Sequence, residues 1–217
     1  MKREEEKVRV FSISPRRMGS DGEGVTTLVA LSGCPLSCAY CINPQCKRPS
    51  VRDLNVTATD VVRLCMPDNL YFLATGGGIT IGGGEPLMHP QFVHEMRADM
   101  PEGWTMNMET SLGVPLSHLT QVIDDVSLFV IDIKDMNADI YHAYTNHNQQ
   151  QLIANLEFLA EQGMQGKCII RLPLIHGYNT IDDIQASQRR LSDMGFSQFN
   201  SFKYINPATH KPFCKHQ

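Results

Sequence analysis

Apolar runs of strand length alternate with helical stripes along most of this chain, and this alternation limits the fold more than any other feature. Residues 8–13 and 25–31 read as strands. Val61, Val62 and Cys65 share one face of a short helix ending at Cys65, and 79–81 is a short strand. Phe92, Val93, Met96 and Met100 form a helical stripe before a strand at 104–108. Leu119, Val122 and Ile123 form the next stripe, followed by a continuous apolar strand at 128–133. Leu152, Leu156 and Leu159 mark a helix that Gly163 closes. A strand at 168–172, a helix marked by Ile184, Leu191 and Met194, and a last strand at 199–205 complete the chain. Alternation of this kind implies parallel strands joined by right-handed crossovers. About six units predict an α/β fold, an open, partial parallel β/α barrel; a flat doubly wound sheet is the alternative. The length of 217 residues suits one domain, residues 1–217, with a single core.

The polar residues favour the barrel. Cysteines follow the strand at 25–31, and Gly82-Gly83-Gly84-Glu85 follows the strand at 79–81. Glu109-Thr110-Ser111 follows the strand at 104–108. Asp132 and Lys134 close the strand at 128–133, and Arg171 closes the strand at 168–172. In a parallel barrel the carboxyl ends of all strands meet on one rim, where active sites form.

Cys34, Cys38 and Cys41 lie within eight residues in a C-x3-C-x2-C pattern. Three thiolates on one loop can hold three corners of an iron–sulfur cube and leave the fourth iron open to a small molecule. The competing reading is a structural zinc site with Cys46 as fourth ligand. Cys65 and Cys168 sit on apolar stripes and read as core residues, and Cys214 is uninformative. Seven cysteines with no signal peptide argue against a disulfide framework.

Glycines at 82–84 let the polar end of a ligand approach the backbone, and Glu85 could accept from an ammonium group; a tight turn is the plainer reading. Gly76-Gly77-Gly78 reads as a turn only. Asp132 is set between isoleucines, where a carboxylate needs a cation or donors. Lys134, two residues on, points to the same side of an extended strand, so the two form an ion pair or grip a ligand together. Arg171 is a charge inside an apolar strand. His176 is the one histidine on the expected rim.

These residues resemble the radical S-adenosylmethionine enzymes, whose C-x3-C-x-aromatic-C signature stands here as Cys34, Cys38, Tyr40 and Cys41. Within that superfamily the chain is similar to the glycyl-radical-enzyme activating enzymes, the group that includes pyruvate formate-lyase activase. Ser20-Asp-Gly-Glu-Gly24, Cys41-Ile-Asn-Pro44, Gly83-Gly-Glu-Pro-Leu87, Glu109-Thr-Ser111, Asp132-Ile-Lys134, Leu152-Ile-Ala-Asn-Leu156 and the run from Arg171 to Asn179 carry the likeness almost end to end. The chain departs from the pattern at Thr26 (usually Arg), Leu112 (Gly), Asn146 (Gly), His176 (Pro) and in the tail around Tyr204.

The resemblance implies a 4Fe-4S cluster on Cys34, Cys38 and Cys41. It also implies S-adenosylmethionine held by Tyr40, Gly83, Gly84, Glu85, Glu109, Asp132, Lys134 and Arg171, and a monovalent cation framed by Glu109, Thr110 and Asp132. Reductive cleavage of the sulfonium would give a 5′-deoxyadenosyl radical that abstracts hydrogen from a glycine of a partner glycyl radical enzyme. A flavodoxin or ferredoxin would donate the electron, under anaerobic conditions. The departures leave room for another peptide or a small-molecule substrate. A metal-binding interaction module is the non-enzymatic reading. The net charge of −4 and the lack of a basic block call for no nucleic acid. With no run near the roughly 20 apolar residues of a membrane helix, no membrane partner and a cytoplasmic site are expected.

Overall fold

The computed structural model describes residues 5–19, 21–206 and 211–212; Ser20 and Cys214 lie outside them. In chain order the elements are β1 (Val8–Met18), β2 (Val25–Leu31), β3 (Leu54–Val56), α1 (Ala58–Cys65), α2 (Asn69–Thr75), β4 (Gly78–Gly83), α3 (Pro90–Asp99), β5 (Thr105–Thr110), α4 (Leu116–Leu119), β6 (Leu128–Asp132), α5 (Ala138–Thr145), α6 (Gln150–Glu161), β7 (Cys168–Leu174), α7 (Ile181–Asp193) and β8 (Phe199–Lys203). Hydrogen bonding orders the strands β3-β1-β2-β4-β5-β6-β7-β8 in an open sheet that does not close. Pairings β2·β4, β4·β5 and β7·β8 are parallel, as the alternation predicts. β1 departs from the expectation: it runs antiparallel to both β2 and β3, because no helix separates it from β2.

The chain forms two compact units, neither continuous in sequence. Of the described residues, the first comprises those within 5–34, 43–110 and 114–130. The second comprises those within 35–42, 111–113 and 131–212.

In the first unit, Val29, Leu31, Ile79, Ile81, Met106 and Met108 from adjacent strands make the core with Phe92, Val93 and Met96 of α3. Thr57 and Asp60 form a capping box that starts α1, and the β-branched Val61 and Val62 bury its inner face. The Gly76–Gly78 run is more than a turn. Gly76 is left-handed and ends α2, while Gly77 and Gly78 lie where a Cβ would sit 1.8 Å from the Val25 carbonyl oxygen and 2.0 Å from that of Thr105. The glycines thus let three backbones close up. The stripe at Leu119, Val122 and Ile123 yields only the single turn α4 followed by irregular turns; Leu119 and Val122 are buried all the same. Spacing alone registered the burial and overestimated the helix.

In the second unit, α6 buries Leu152, Asn155, Leu156 and Leu159, and Gly163 ends it in the left-handed conformation. α7 starts at a capping box of Thr180 and Asp183. Two departures from the family pattern are explained by the backbone. Asn146 has φ 58° at the end of α5, where its N–H donates to the His142 carbonyl at 2.8 Å. Leu112 has φ 54° and is wholly buried, its carbonyl accepting from Asn155 Nδ2 at 2.8 Å. Both hold the left-handed geometry that a glycine would adopt freely; asparagine tolerates it, whereas leucine holds it at a cost of about 1–2 kcal/mol. Asn146 is exposed, so backbone preference governs its substitutions. Asn146→Gly is expected to melt within about 1 °C of the parent, and Asn146→Ala about 2–4 °C lower, as a loss near 1 kcal/mol gives in a chain of this size. A thermal melt followed by circular dichroism checks both.

Candidate functional site

The cysteine loop is anchored separately in each unit. In the first, β2 ends at Leu31 and three backbone bonds set the approach to Cys34: Ser32 N–H donates to Arg9 (2.8 Å), Gly33 N–H to Cys46 (2.7 Å) and Glu85 N–H to Gly33 (2.8 Å). Gly84 N–H donates to Leu31 at 2.9 Å. The glycines at the end of β4 are therefore used for packing: a Cβ at Gly84 would lie 2.0 Å from the Gly33 carbonyl oxygen, and one at Gly83 2.7 Å from the Ala30 Cβ. The Gly84 amide is engaged by the Leu31 carbonyl, so what this residue could offer a ligand is its carbonyl. Asn43 Nδ2 donates to the Gly83 carbonyl at 3.0 Å and ties the chain beyond the cysteines to the same turn.

Glu85 is almost fully buried. Its Oε1 accepts from Leu87 N–H at 3.2 Å and from Thr110 Oγ1 at 2.7 Å. The carboxylate thus anchors the glycine turn to the end of β5, and the Thr110 hydroxyl points at Glu85. Glu109 is half-buried next to Gly82. Its charge helps raise the pKa of Arg17, behind the larger effect of the hydrogen bond from Arg17 to Asp21. Arg17 Nη2 donates to Asp21 Oδ1 at 2.9 Å, and Asp21 is buried. The backbone of Asp21 is pinned in turn by Thr80 Oγ1 (2.9 Å) and Asn107 Nδ2 (3.3 Å).

Arg17 is a residue the sequence reading missed. It lies opposite Thr26 in the β1·β2 pair, and directly opposed side chains share a face. The cation absent at position 26 is therefore present across the strand. The register of that pair, shifted between Ser14 and Arg17, was not legible from one strand alone.

In the second unit the loop is held by the end of α5. Ser37 N–H donates to the Thr145 carbonyl and Ala39 N–H to that of Tyr144, both at 2.9 Å. Helix-end carbonyls that need partners thereby fix the backbone on either side of Cys38. Tyr40 packs edge-on against Tyr178 (5.5 Å) and Tyr144 (6.2 Å), which pack edge-on against each other (5.0 Å). The three tyrosines seat the loop; Tyr178 stood in a motif with no role assigned to it, and Tyr144 was not singled out. Cys38 and Cys41 are partly exposed thiols, and neither is in a disulfide.

Lys134 is nearly buried, with Nζ 3.7 Å from Asp132 Oδ2 and 6.0 Å above the Tyr204 ring. Burial works against its charge, but Asp132, then Tyr204, Cys38 and Cys41, hold its pKa above the ordinary lysine range. The ammonium therefore stays protonated. Asp132 is half-buried rather than enclosed.

Arg171 is half-buried in the middle of β7 rather than at its end, because the strand runs on through Pro173 to Leu174. Its carbonyl accepts from Ile133 N–H at 3.0 Å. Asn179, the last residue of the motif that begins at Arg171, is structural: Oδ1 accepts from Ile175 N–H (2.6 Å), and Nδ2 donates to Pro173 (3.1 Å) and Asp135 (3.2 Å). His176 is exposed and lines a cavity of about 220 Å³ with Lys203 and Tyr204. Cys65 and Cys168 are core thiols as expected, with burial pushing each pKa up to about 12.

Among the described residues, no group of three or more His, Cys, Asp or Glu side chains is placed to hold a metal ion. The zinc reading and the monovalent cation on Glu109, Thr110 and Asp132 gain no support from this. A 4Fe-4S cluster would take its protein ligands from thiolates. Accessible, unbridged thiols on a hydrogen-bonded loop fit its donor set.

The sequence profile of the Radical SAM superfamily matches residues 28–190, and the chain belongs to that superfamily. Within it, the chain is similar to the pyruvate formate-lyase-activating enzyme of Staphylococcus aureus (strain USA300), 29% identical over 170 residues that cover 75% of this chain and 67% of that protein. Among solved structures, SuiB of Streptococcus suis superposes with a TM-score of 0.63 at 14% identity, covering 86% of this chain and 41% of SuiB. The structure of anSMEcpe with bound AdoMet gives 0.58 at 14% identity, covering 81% and 50%. These two likenesses are of fold. The superfamily implies a 4Fe-4S cluster and S-adenosylmethionine. Among the described residues no helix is long and apolar enough to cross a membrane.

Proposed function

We propose that this chain is an activating enzyme that abstracts a hydrogen atom from a glycine of a partner glycyl radical enzyme. The observation that carries the reading is the C-x3-C-x2-C loop in a chain of this superfamily that is 29% identical to an activating enzyme over three quarters of its length. The departures at Leu112 and Asn146 do not speak against it, since both hold the positive φ that a glycine adopts freely. A 4Fe-4S cluster on Cys34, Cys38 and Cys41 would supply the electron that cleaves S-adenosylmethionine and so yields the hydrogen-abstracting 5′-deoxyadenosyl group.

The side chains then bind and orient. Lys134 offers a permanent cation to the carboxylate of the cofactor, with Asp132 holding the ammonium in place. Arg171 and Glu109 contact the remainder, and Tyr40 contributes through the loop it seats. Glu85 serves by holding Gly83 and Gly84, and with them the start of the cysteine loop. Lys134→Ala is expected to keep full iron and sulfide but to weaken S-adenosylmethionine binding about tenfold or more, measured by equilibrium dialysis on the oxidised holoenzyme. An unchanged dissociation constant would remove Lys134 from the cofactor.

The proposal as a whole is tested by anaerobic incubation of the reduced holoenzyme and S-adenosylmethionine with a candidate glycyl radical enzyme. The expected result is a doublet radical signal on the partner by electron paramagnetic resonance. Formation of 5′-deoxyadenosine with no such doublet on any co-encoded glycyl radical enzyme would redirect the chemistry to another peptide or a metabolite.

A further inference from the structure

Pro15 and Arg16 form a bulge in β1. Ser14 pairs with Leu28 and Arg17 with Thr26, so these two residues together oppose Thr27. Arg16 takes φ 53°, a left-handed backbone that an L side chain adopts only at a cost. Its Nη1 donates to Asp68 Oδ1 at 3.2 Å, and Thr27 Oγ1 donates to Oδ2 of the same buried carboxylate at 2.7 Å. Arg16 and Thr27 therefore serve one face of the sheet, and Arg17 and Thr26 are turned to the other.

On that other face the Asp21 loop lies against β4 and β5. Arg17 Nε donates to Asp21 Oδ2 and Nη2 to Oδ1, while the Asp21 carbonyl accepts from Thr80 Oγ1 of β4 and Asn107 Nδ2 of β5. Alternate residues of a strand share a face, so Gly82 follows Thr80 there and Glu109 follows Asn107. A Cβ at Gly82 would lie 2.9 Å from Glu109 Oε2, so the carboxylate reaches across β4 in the space the glycine leaves. The Arg17 side chain is 35% exposed, yet its two bonds to a carboxylate only 1% exposed keep it from swinging out. Its guanidinium feels the Glu109 charge as well, after that of Asp21.

We propose that Arg17 is a positioning residue for the cofactor: turned inward by the bulge, it clamps the Asp21 loop against β4 and β5 and supplies the fixed positive charge that orients the Glu109 carboxylate, without touching S-adenosylmethionine itself. The inference rests on the reading of Glu109 as a cofactor contact under the proposed function. A strained backbone residue persists where its surroundings hold it, and such strain gathers at functional sites. Here the strained residue is the one that decides which way Arg17 points.

The test is a double-mutant cycle on the oxidised holoenzyme, with S-adenosylmethionine as the probe and its dissociation constant read by equilibrium dialysis. Arg17→Gln is expected to weaken binding about fivefold or more, and to add less than about twofold in a Glu109→Gln background, because the charge it orients is then gone. Arg17→Lys keeps a cation for the buried Asp21 but offers a single point charge in place of the fork. It carries the same expectation, and it replaces Arg17→Gln in the cycle should that protein not load iron. A parental dissociation constant in both Arg17 variants would overturn the proposal. So would an equal loss in both backgrounds, the mark of a role in the fold alone. A parent that binds no S-adenosylmethionine, or a Glu109→Gln protein with parental affinity, would instead defeat the cofactor reading of Glu109 on which the role of Arg17 depends.

Discussion

Cys38→Ala is expected to emerge from anaerobic reconstitution colourless, with iron and sulfide down from about four each per chain to trace levels, and with no 5′-deoxyadenosine formed from S-adenosylmethionine. The thiolate is the ligand, and two thiolates cannot hold a cube that presents three corners to the protein. The structure makes the result interpretable. The amides flanking Cys38 are bonded to the carbonyls of Thr145 and Tyr144, and Tyr40 is packed between two further tyrosines. These backbone and ring contacts do not use the Cys38 sulfur, and denaturant titration of the apo variant beside the apo parent separates loss of the cluster from loss of the fold. Cys168→Ala is the opposite case: the thiol is buried and its pKa is pushed up to about 12, so iron should load normally while stability falls. A Cys38→Ala protein that still bound four irons would place the cluster elsewhere.

Gly84→Ala is expected to do nearly as much damage by another route. The added methyl would sit 2.0 Å from the carbonyl oxygen of Gly33 and 2.8 Å from that of Leu31. Both are backbone atoms and cannot rotate aside. Relief requires Leu31 and Gly33 to move, which breaks the bonds from Gly84 and Glu85 N–H to those carbonyls and displaces the residue next to Cys34. Overpacking of this kind costs about 1–3 kcal/mol, and iron loading should drop with it. Gly166→Ala is the control, because a Cβ there meets nothing within 4 Å; it should load iron and melt like the parent. Normal iron content in Gly84→Ala would show that the clamp on the cysteine loop is not needed.

Much of the fold was legible because its signals are local. The apolar strands at β2, β6 and β7 and the stripes of α3, α6 and α7 stand where periodicity places them. Gly163 and Gly195 have the positive φ expected of residues that end helices. The site was legible in identity but less so in role. Glu85 read as a ligand-facing residue and Asn179 as the end of a motif, and the side chains of both bond to the protein's own turns. Arg17 drew no notice, because its importance depends on which residue of β2 it faces and on the distant Asp21 and Glu109. Leu112 and Asn146 looked like departures from a pattern, and only their φ values show that each stands where a glycine would sit without strain.

Sequence alone set which atoms are the candidates for chemistry here: three thiols at a spacing suited to a cube, and acids and cations at strand ends. Covalent spacing along one loop is independent of how the rest of the chain folds. Tertiary structure decided how these atoms are held and charged. Lys134 keeps its proton chiefly because the Asp132 carboxylate lies beside it, and the path into Cys34 is set by carbonyls from β1, from the loop at Cys46 and from Gly33 itself. Electrostatic fields and hydrogen-bond directions are properties of neighbours in space, and neighbours exist only once the chain has folded.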